Sequence, residues 1–477
     1  PAVADVLAEA HLLVHRDRCA LHRGDGHFTV VDRAAVLGPP PGAVAGPAVA
    51  VDVDDLAGLA DGWAEAGERL AGVVVASGSD VAGAGAGGAG GDAGPVGGPG
   101  VAGAVDVVVA LDPRSSAAGV AVRPPATVDR WVAPGTHVGA LLDAAVVPVL
   151  LVGPGVADPA LVPGLHALAA RAGLGVLNTW GAKGVFDWRS VHHWATVGLQ
   201  ARDLELGGVP AADVVLTAGL DPREVPPGGR PDTAVTVAPG ALGPLAEALR
   251  GPVRMPEVPP LRTGLARVTQ EGWAVTTGPL PPSRVTRAYA AAVGGAGLVA
   301  ADPGTAGFWV ARTFATTALG GAIVPARAGA HGVAAACVAV ARRRWPDRPA
   351  LAVVDAAAVP AGADARTQAR GGTEAVGQNG GRARARATAG GADSGTRDMT
   401  ARVVEATARW GIAVPVEVWG DGPALDAEAH AGRIDQLVTG PAGPAVGLAV
   451  DEGQLARMVA VAGDVVAWRD DDGGGDR

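Results

Sequence analysis

The sequence is poor in several residues that ordinarily diversify a core and a surface. Among 477 residues there are one Lys, two Asn, three Ile, four Phe and one Tyr. Lysine has been replaced almost throughout by arginine, and Ala, Gly, Val and Pro make up much of the remainder. The shortage is global and reads as a compositional bias. Arg, Ala or Gly at a given position therefore carries little signal, whereas Lys, Asn or Phe carries more. Cysteine is also scarce. Cys19 and Cys337 are far apart in sequence, which excludes a disulfide framework and leads us to expect a reduced, cytoplasmic protein. Long apolar runs are missing. Stretches such as 145–152 (AVVPVLLV) have strand length and fall short of the ~20 residues of a membrane span. The opening PAVADVLAEAHLLVHRDR has no basic segment followed by a long apolar one, so no signal peptide is expected there. An excess of positive charge is lacking too. The net charge of −10 argues against broad attraction to nucleic acid or to an anionic membrane.

What is present has the length of roughly two to four domains. Residues 81–104 and 360–398 are rich in Gly, Ala and, in the second case, Arg. They contain too little large apolar surface to offset their ordering entropy, and read as a loop and an insertion. The Pro-rich stretch 251–283 reads as a linker. Three blocks are left, 1–130, 136–250 and 284–470. In the first, strands are expected at 47–53, 72–76 and 105–111, with a helix over 54–71. In the second, strands are expected at 146–152, 175–180, 213–217 and 233–237. The helix over 158–172 there places Leu161, Leu165 and Leu168 on one face. In the third, strands are expected at 297–301, 321–324, 350–354 and 414–419, between helices at 284–293, 306–313, 332–344 and 401–410. Alternating strands and helices imply α/β domains with doubly wound parallel sheets. Ligands bind such sheets at the carboxyl ends of strands, so the candidate positions follow residues 301, 354 and 419.

The rare residues cluster in two places. Residues 176–200 hold the lone Lys183, Asn178, Phe186 and three Trp, and 302–314 hold Phe308, Phe314 and Trp309. Packing at a domain interface accounts for the first cluster as well as a functional role does.

These segments also carry a resemblance. The order strand, Gly153-Pro154-Gly155, helix, strand, Thr179-Trp180-Gly181-Ala182-Lys183-Gly184-Val185-Phe186, His193 with Gly198, then Ala212-Asp213-Val214-Val215-Leu216 with Gly219, resembles a central domain. That domain belongs to thiamine-diphosphate-dependent enzymes of the acetolactate synthase and benzoylformate decarboxylase type. The third block resembles the diphosphate-binding domain of that family through Asp302-Pro303-Gly304, Gly332-Val333-Ala334-Ala335-Ala336, Pro346-Asp347-Arg348-Pro349 and Val354-Asp355-Ala356. The first block is similar to the pyrimidine-binding domain only at 60–78.

The resemblance implies three doubly wound domains, thiamine diphosphate and Mg²⁺ as cofactors, and a 2-oxo acid as substrate. It also implies a homodimer or homotetramer with active sites between subunits. Asp355 and Asp421 would hold the metal through hard oxygen ligands. The backbone of Asp302, Gly304 and Thr305 would cradle the diphosphate, with His331 and Gly332 lining the cofactor. Asp54 would stand in for the catalytic glutamate. In some relatives the central domain binds FAD or ADP, but Gly153-Pro154-Gly155 lacks the full dinucleotide fingerprint.

The sequence departs from the pattern at three points. Both glycines of the metal motif Gly-Asp-Gly are gone around Asp355. Asp421 occupies the region where an asparagine is expected. Asp54 is one methylene shorter than glutamate and also fits a helix cap. Two other features have plain explanations. Arg23-Gly24-Asp25-Gly26 is expected to be a turn with no strand before it. His11, His15, Cys19 and His22 would share a face if helical, with a surface or packing role favoured over zinc. Two readings follow: a thiamine-diphosphate- and Mg²⁺-dependent decarboxylase or carboligase, or a non-catalytic homologue acting as a scaffold, regulatory or ligand-binding subunit.

Overall fold

The computed structural model describes residues 136–225, 231, 233–253, 255–356, 399–408, 411–440 and 445–468, together with Ala10 and the strands at 19–22, 28–31, 69–77 and 104–111. In the N-terminal block, β1 (Cys19–His22) pairs antiparallel with β2 (Phe28–Val31), His22 opposite Phe28. The strands β3 (Arg69–Ser77) and β4 (Ala104–Leu111) complete a sheet of order β2-β1-β4-β3. Three expectations are corrected. A strand does precede Arg23, and the chain then pairs back on it. Cys19 and His22 lie in that strand and not in a helix, while His11 and His15 lie outside the described residues. Residues 69–71 extend β3 rather than ending a helix, because Arg69 and Leu70 pair with Ala104 and Val105. Asp54, the strand expected at 47–53 and most of the 81–104 stretch lie outside the described residues, as does the 360–398 insertion.

The central sheet is parallel, with order β7-β6-β5-β8-β9: β5 (Pro148–Val152), β6 (Gly175–Thr179), β7 (His193–Val197), β8 (Val214–Ala218) and β9 (Val235–Thr236). β5 and β6 are buried along their whole length, as expected of strands covered on both faces. Helices α1 (Thr136–Ala144), α2 (Val162–Ala172) and α4 (Leu242–Ala248) flank it, and the single turn α3 (Asp203–Leu206) follows β7. α2 turns Leu165, Leu168, Ala169 and Ala172 inward, the i, i+3, i+4, i+7 spacing of an amphipathic helix.

α5 (Pro260–Trp273) occupies the stretch read as a linker. Its prolines fall before or at the first helical position, where a missing N–H costs nothing, while Leu261, Leu265 and Val268 are buried. α6 (Pro282–Val293) leads into a second parallel sheet of order β11-β10-β12-β13-β14. Its strands are β10 (Leu298–Ala301), β11 (Ala322–Ile323), β12 (Ala350–Asp355), β13 (Val416–Trp419) and β14 (Val446–Leu448). Its helices are α7 (Thr305–Thr313), α8 (Val333–Arg344), α9 (Met399–Ala408), α10 (Ala427–Thr439) and α11 (Gly453–Ala462). No helix among the described residues is long and apolar enough to cross a membrane.

Strand alternation joins the two sheets. Leu150 and Val152 face a core with α2 and α4, whereas Val149 and Leu151 face the other way. That second face shares one continuous core with Val299, Ala301, Leu351 and Val353 of the C-terminal sheet. Leu298, Ala300, Ala352 and Val354 face the opposite side, against α8.

Candidate functional site at the switch point of the C-terminal sheet

In the C-terminal sheet the strand order reverses between β10 and β12, and a doubly wound sheet opens its ligand crevice at such a point. Asp302 follows β10 and Asp355 ends β12, so two carboxylates stand at that edge. Each is already engaged. Asp302 is buried and accepts from the backbone N–H of Gly332 (2.7 Å) and Ala334 (2.8 Å), which caps the start of α8. Asp355 accepts from the N–H of Thr305 (2.8 Å) and Ala306 (3.0 Å), which caps the start of α7. Gly304, with φ of 133°, brings the chain close enough that a Cβ there would run into the Asp355 carboxylate. Burial pushes Asp302 up to about 7, against the pull of its two amide bonds. Burial likewise pushes Asp355 up to about 6, against the amides of Ala306 and Thr305.

The structure thus brings together Asp302, Gly304, Thr305, Gly332 and Asp355. His331 sits beside this group with its Nδ1 buried and unpaired, and its pKa is lowered by burial and by Arg327. Asp421 lies two residues beyond β13, next to the strand of Asp355: Trp419 pairs with Asp355, and Gly420 lies against Ala356. The Asp421 residue is exposed and its carboxylate has no bonding partner among the described residues. No group of three or more His, Cys, Asp and Glu side chains forms a metal set among the described residues.

These residues do not fit a metal-bound diphosphate as they stand. The first amides of a helix are the natural seat of a phosphate. At α7 that seat is held by the protein's own carboxylate. A diphosphate would have to displace Asp355 or lie against its negative charge, and Ala356 replaces the glycine that would let the backbone close.

The central sheet has its own switch point between β5 and β8. Backbone fills it: Gly155 N–H donates to Gly219 O (2.7 Å), Gly153 N–H donates to Ala218 O (3.0 Å), and a Cβ on Gly155 would land on the Gly219 backbone. The glycines that suggested a nucleotide loop are thus required for this close approach.

Sequence reasoning missed three buried polar groups. Glu224 is bonded by Thr179 Oγ1 and by the Gly181 N–H (3.1 Å). Arg312 pairs with Asp203. Tyr289 and Trp419 form a network with Glu417 and His430. Rarity was the available signal for the last of these, since Tyr289 is the only residue of its kind. The same signal singled out Lys183, which is buried.

Residues 136–239 match the protein family described as thiamine pyrophosphate enzyme, central domain. Comparison with curated proteins gave no match.

Proposed function

We propose that this chain, whose residues 136–239 match the central domain of thiamine pyrophosphate enzymes, is a non-catalytic member of that family, acting as a scaffold or as a regulatory or ligand-binding subunit. The observation that carries this reading is the bonding of Asp355. Its two oxygens take the amides of Thr305 and Ala306, which a cofactor diphosphate would need. The sequence supports it as well. No Asn follows Asn379, and Asp421 in its place would add negative charge beside a diphosphate. The homodimer or homotetramer implied by the resemblance belongs to the same proposal.

The other reading is a Mg²⁺- and thiamine-diphosphate-dependent decarboxylase or carboligase acting on a 2-oxo acid. It is favoured by the meeting of Asp302, Gly304, Thr305, Gly332 and Asp355 at one switch point. Here Asp355 and Asp421 would hold the metal and Asp54 would serve the cofactor. Consumption of a 2-oxo acid that depends on added cofactor and is abolished by Asp355→Ala would establish this reading and overturn the first. No cofactor-dependent consumption is expected.

A further inference from the structure

The exposed side of α5 carries an open groove of about 650 Å³, lined by Val258, Arg262, Ala266, Arg267, Gln270 and Glu271 among others. Arg262, Ala266, Gln270 and Trp273 follow one another at i, i+4, i+8 and i+11, and so form one row about 16 Å long. Trp273 ends the row. The Trp188 ring meets it edge-on with centroids 6.1 Å apart, and the Arg287 guanidinium lies 5.0 Å from its centroid. Arg284 stands one turn before Arg287 on α6, on the same face. At the other end, Arg262 Nη1 donates to Ser190 O (3.0 Å) and Val191 O (3.4 Å), which brings the 188–191 segment alongside α5.

Charge on this face is one-sided. The chain as a whole has 48 Asp and Glu against 38 Lys and Arg. Yet Arg262, Arg267, Arg284 and Arg287 have no ion-pair partner among the described residues. The carboxylate that lines the groove, Glu271, lies 3.7 Å from Arg457, and Asp187 beside Trp188 is held by Arg189 (2.7 Å). Two buried donors at the Trp273 end are also unmet: Trp273 Nε1 and Arg284 Nε have no acceptor. A buried N–H left without an acceptor is costly, so this end calls for one from outside. Apolar side chains stand open beside the cations. Val258, Val191 and Trp188 are 59 %, 48 % and 37 % exposed. Exposed apolar groups among unpaired arginines and tryptophans have the composition of an interaction hot spot.

We propose that this face, formed by α5, the start of α6 and the 188–191 segment, is a docking site for an acidic peptide segment of a partner protein. Peptide carboxylates would neutralise the four arginines, and a carbonyl or carboxylate oxygen would accept from Trp273 Nε1 and Arg284 Nε. Apolar side chains of the same peptide would cover Val191, Val258 and Trp188. The row of α5 spans about five residues of extended chain. None of these residues belongs to the switch-point group, so docking stands whether or not the C-terminal site takes a cofactor.

The test uses the full chain and a fluorescently labelled synthetic peptide of alternating Glu and Leu, about ten residues long so that it overruns the groove. A matched peptide with Gln in place of Glu is the control, and anisotropy reads binding. The Glu peptide should bind at least about tenfold more tightly than the Gln peptide, and should weaken as salt is raised. Arg267→Glu and Arg287→Gln, both at exposed positions, should each lose about tenfold in affinity with circular dichroism unchanged. Absence of binding by the Glu peptide at low salt overturns the proposal, as does equal binding of the two peptides or an affinity that neither variant changes. Displacement of the peptide by an equal concentration of inorganic triphosphate would mark a small-anion site and overturn it as well.

Discussion

Arg312, on α7, donates from Nη2 to both carboxylate oxygens of Asp203, at 2.8 Å each, and so ties the C-terminal sheet to the central one. The side chains are 1 % and 0 % exposed. Asp203 also accepts from the N–H groups of Leu199 (2.9 Å) and Gln200 (3.0 Å). A buried pair of this kind adds little net stability, but breaking it strands a charge. Arg312→Met should lower the unfolding free energy by about 3–5 kcal/mol. The double variant Arg312→Met/Asp203→Leu should recover much of that loss. Denaturant titration of the single and double variants checks this, and additive losses would show that the pair is not coupled.

Glu224 gives a pH dependence of known sign. Burial, helped by Asp221, pushes it up to about 8 from an ordinary 4.5, against bonds from Thr179 and Gly181. Between those values the folded protein keeps a proton that the unfolded chain has lost. The contribution to stability is therefore full below about 4.5 and declines as pH rises through about 8, at up to about 1.4 kcal/mol per pH unit. His193, held down at about 3 by burial, has the opposite slope between its folded and ordinary values. The useful quantity is thus the difference between wild type and Glu224→Gln, which should change steadily between pH 5 and 7. A flat difference would contradict this assignment.

Tyr289 sits in a closed polar network. Its hydroxyl donates to Glu417 and accepts from Trp419 Nε1 (2.7 Å), while His430 Nε2 lies 3.1 Å from Glu417. Tyr289→Phe leaves the Trp419 N–H and a Glu417 oxygen without this partner, at a cost of about 1–3 kcal/mol. Burial and Glu417 hold the phenol well above its ordinary pKa. Alkaline titration followed by phenolate absorbance should therefore show this single tyrosine ionising only as the protein unfolds. Ionisation before loss of the fold would contradict its buried placement.

Periodicity exposed most of the C-terminal half, because its strands are short apolar runs between helices of regular spacing. β10, β12 and β13 fall within two residues of expectation, and so does α8. Composition hid the rest. α5 was masked by prolines that sit at its start, and β7, HWATV, mixes polar and apolar residues too evenly to stand out. α10, β14 and α11 went unread in an Ala- and Gly-rich tail. The site positions were legible as the residues after strands, but their bonding was not. Spacing alone cannot distinguish a carboxylate that awaits a metal from one that caps a helix, and the amides of Thr305 and Ala306 make that distinction for Asp355.

The capping role has its own consequence. Asp355→Ala should cost about 1 kcal/mol of stability through loss of the α7 cap. The loss should be the same with or without added thiamine diphosphate and Mg²⁺, as read by thermal unfolding. A loss seen only in the presence of cofactor would place Asp355 in ligand binding.

Calorimetric titration of the full chain with thiamine diphosphate and Mg²⁺ tests the central claim most directly. With the α7 amides held by Asp355, no binding in the micromolar range is expected. Micromolar, Mg²⁺-dependent binding that is abolished by Asp355→Asn would contradict the account and restore the catalytic reading.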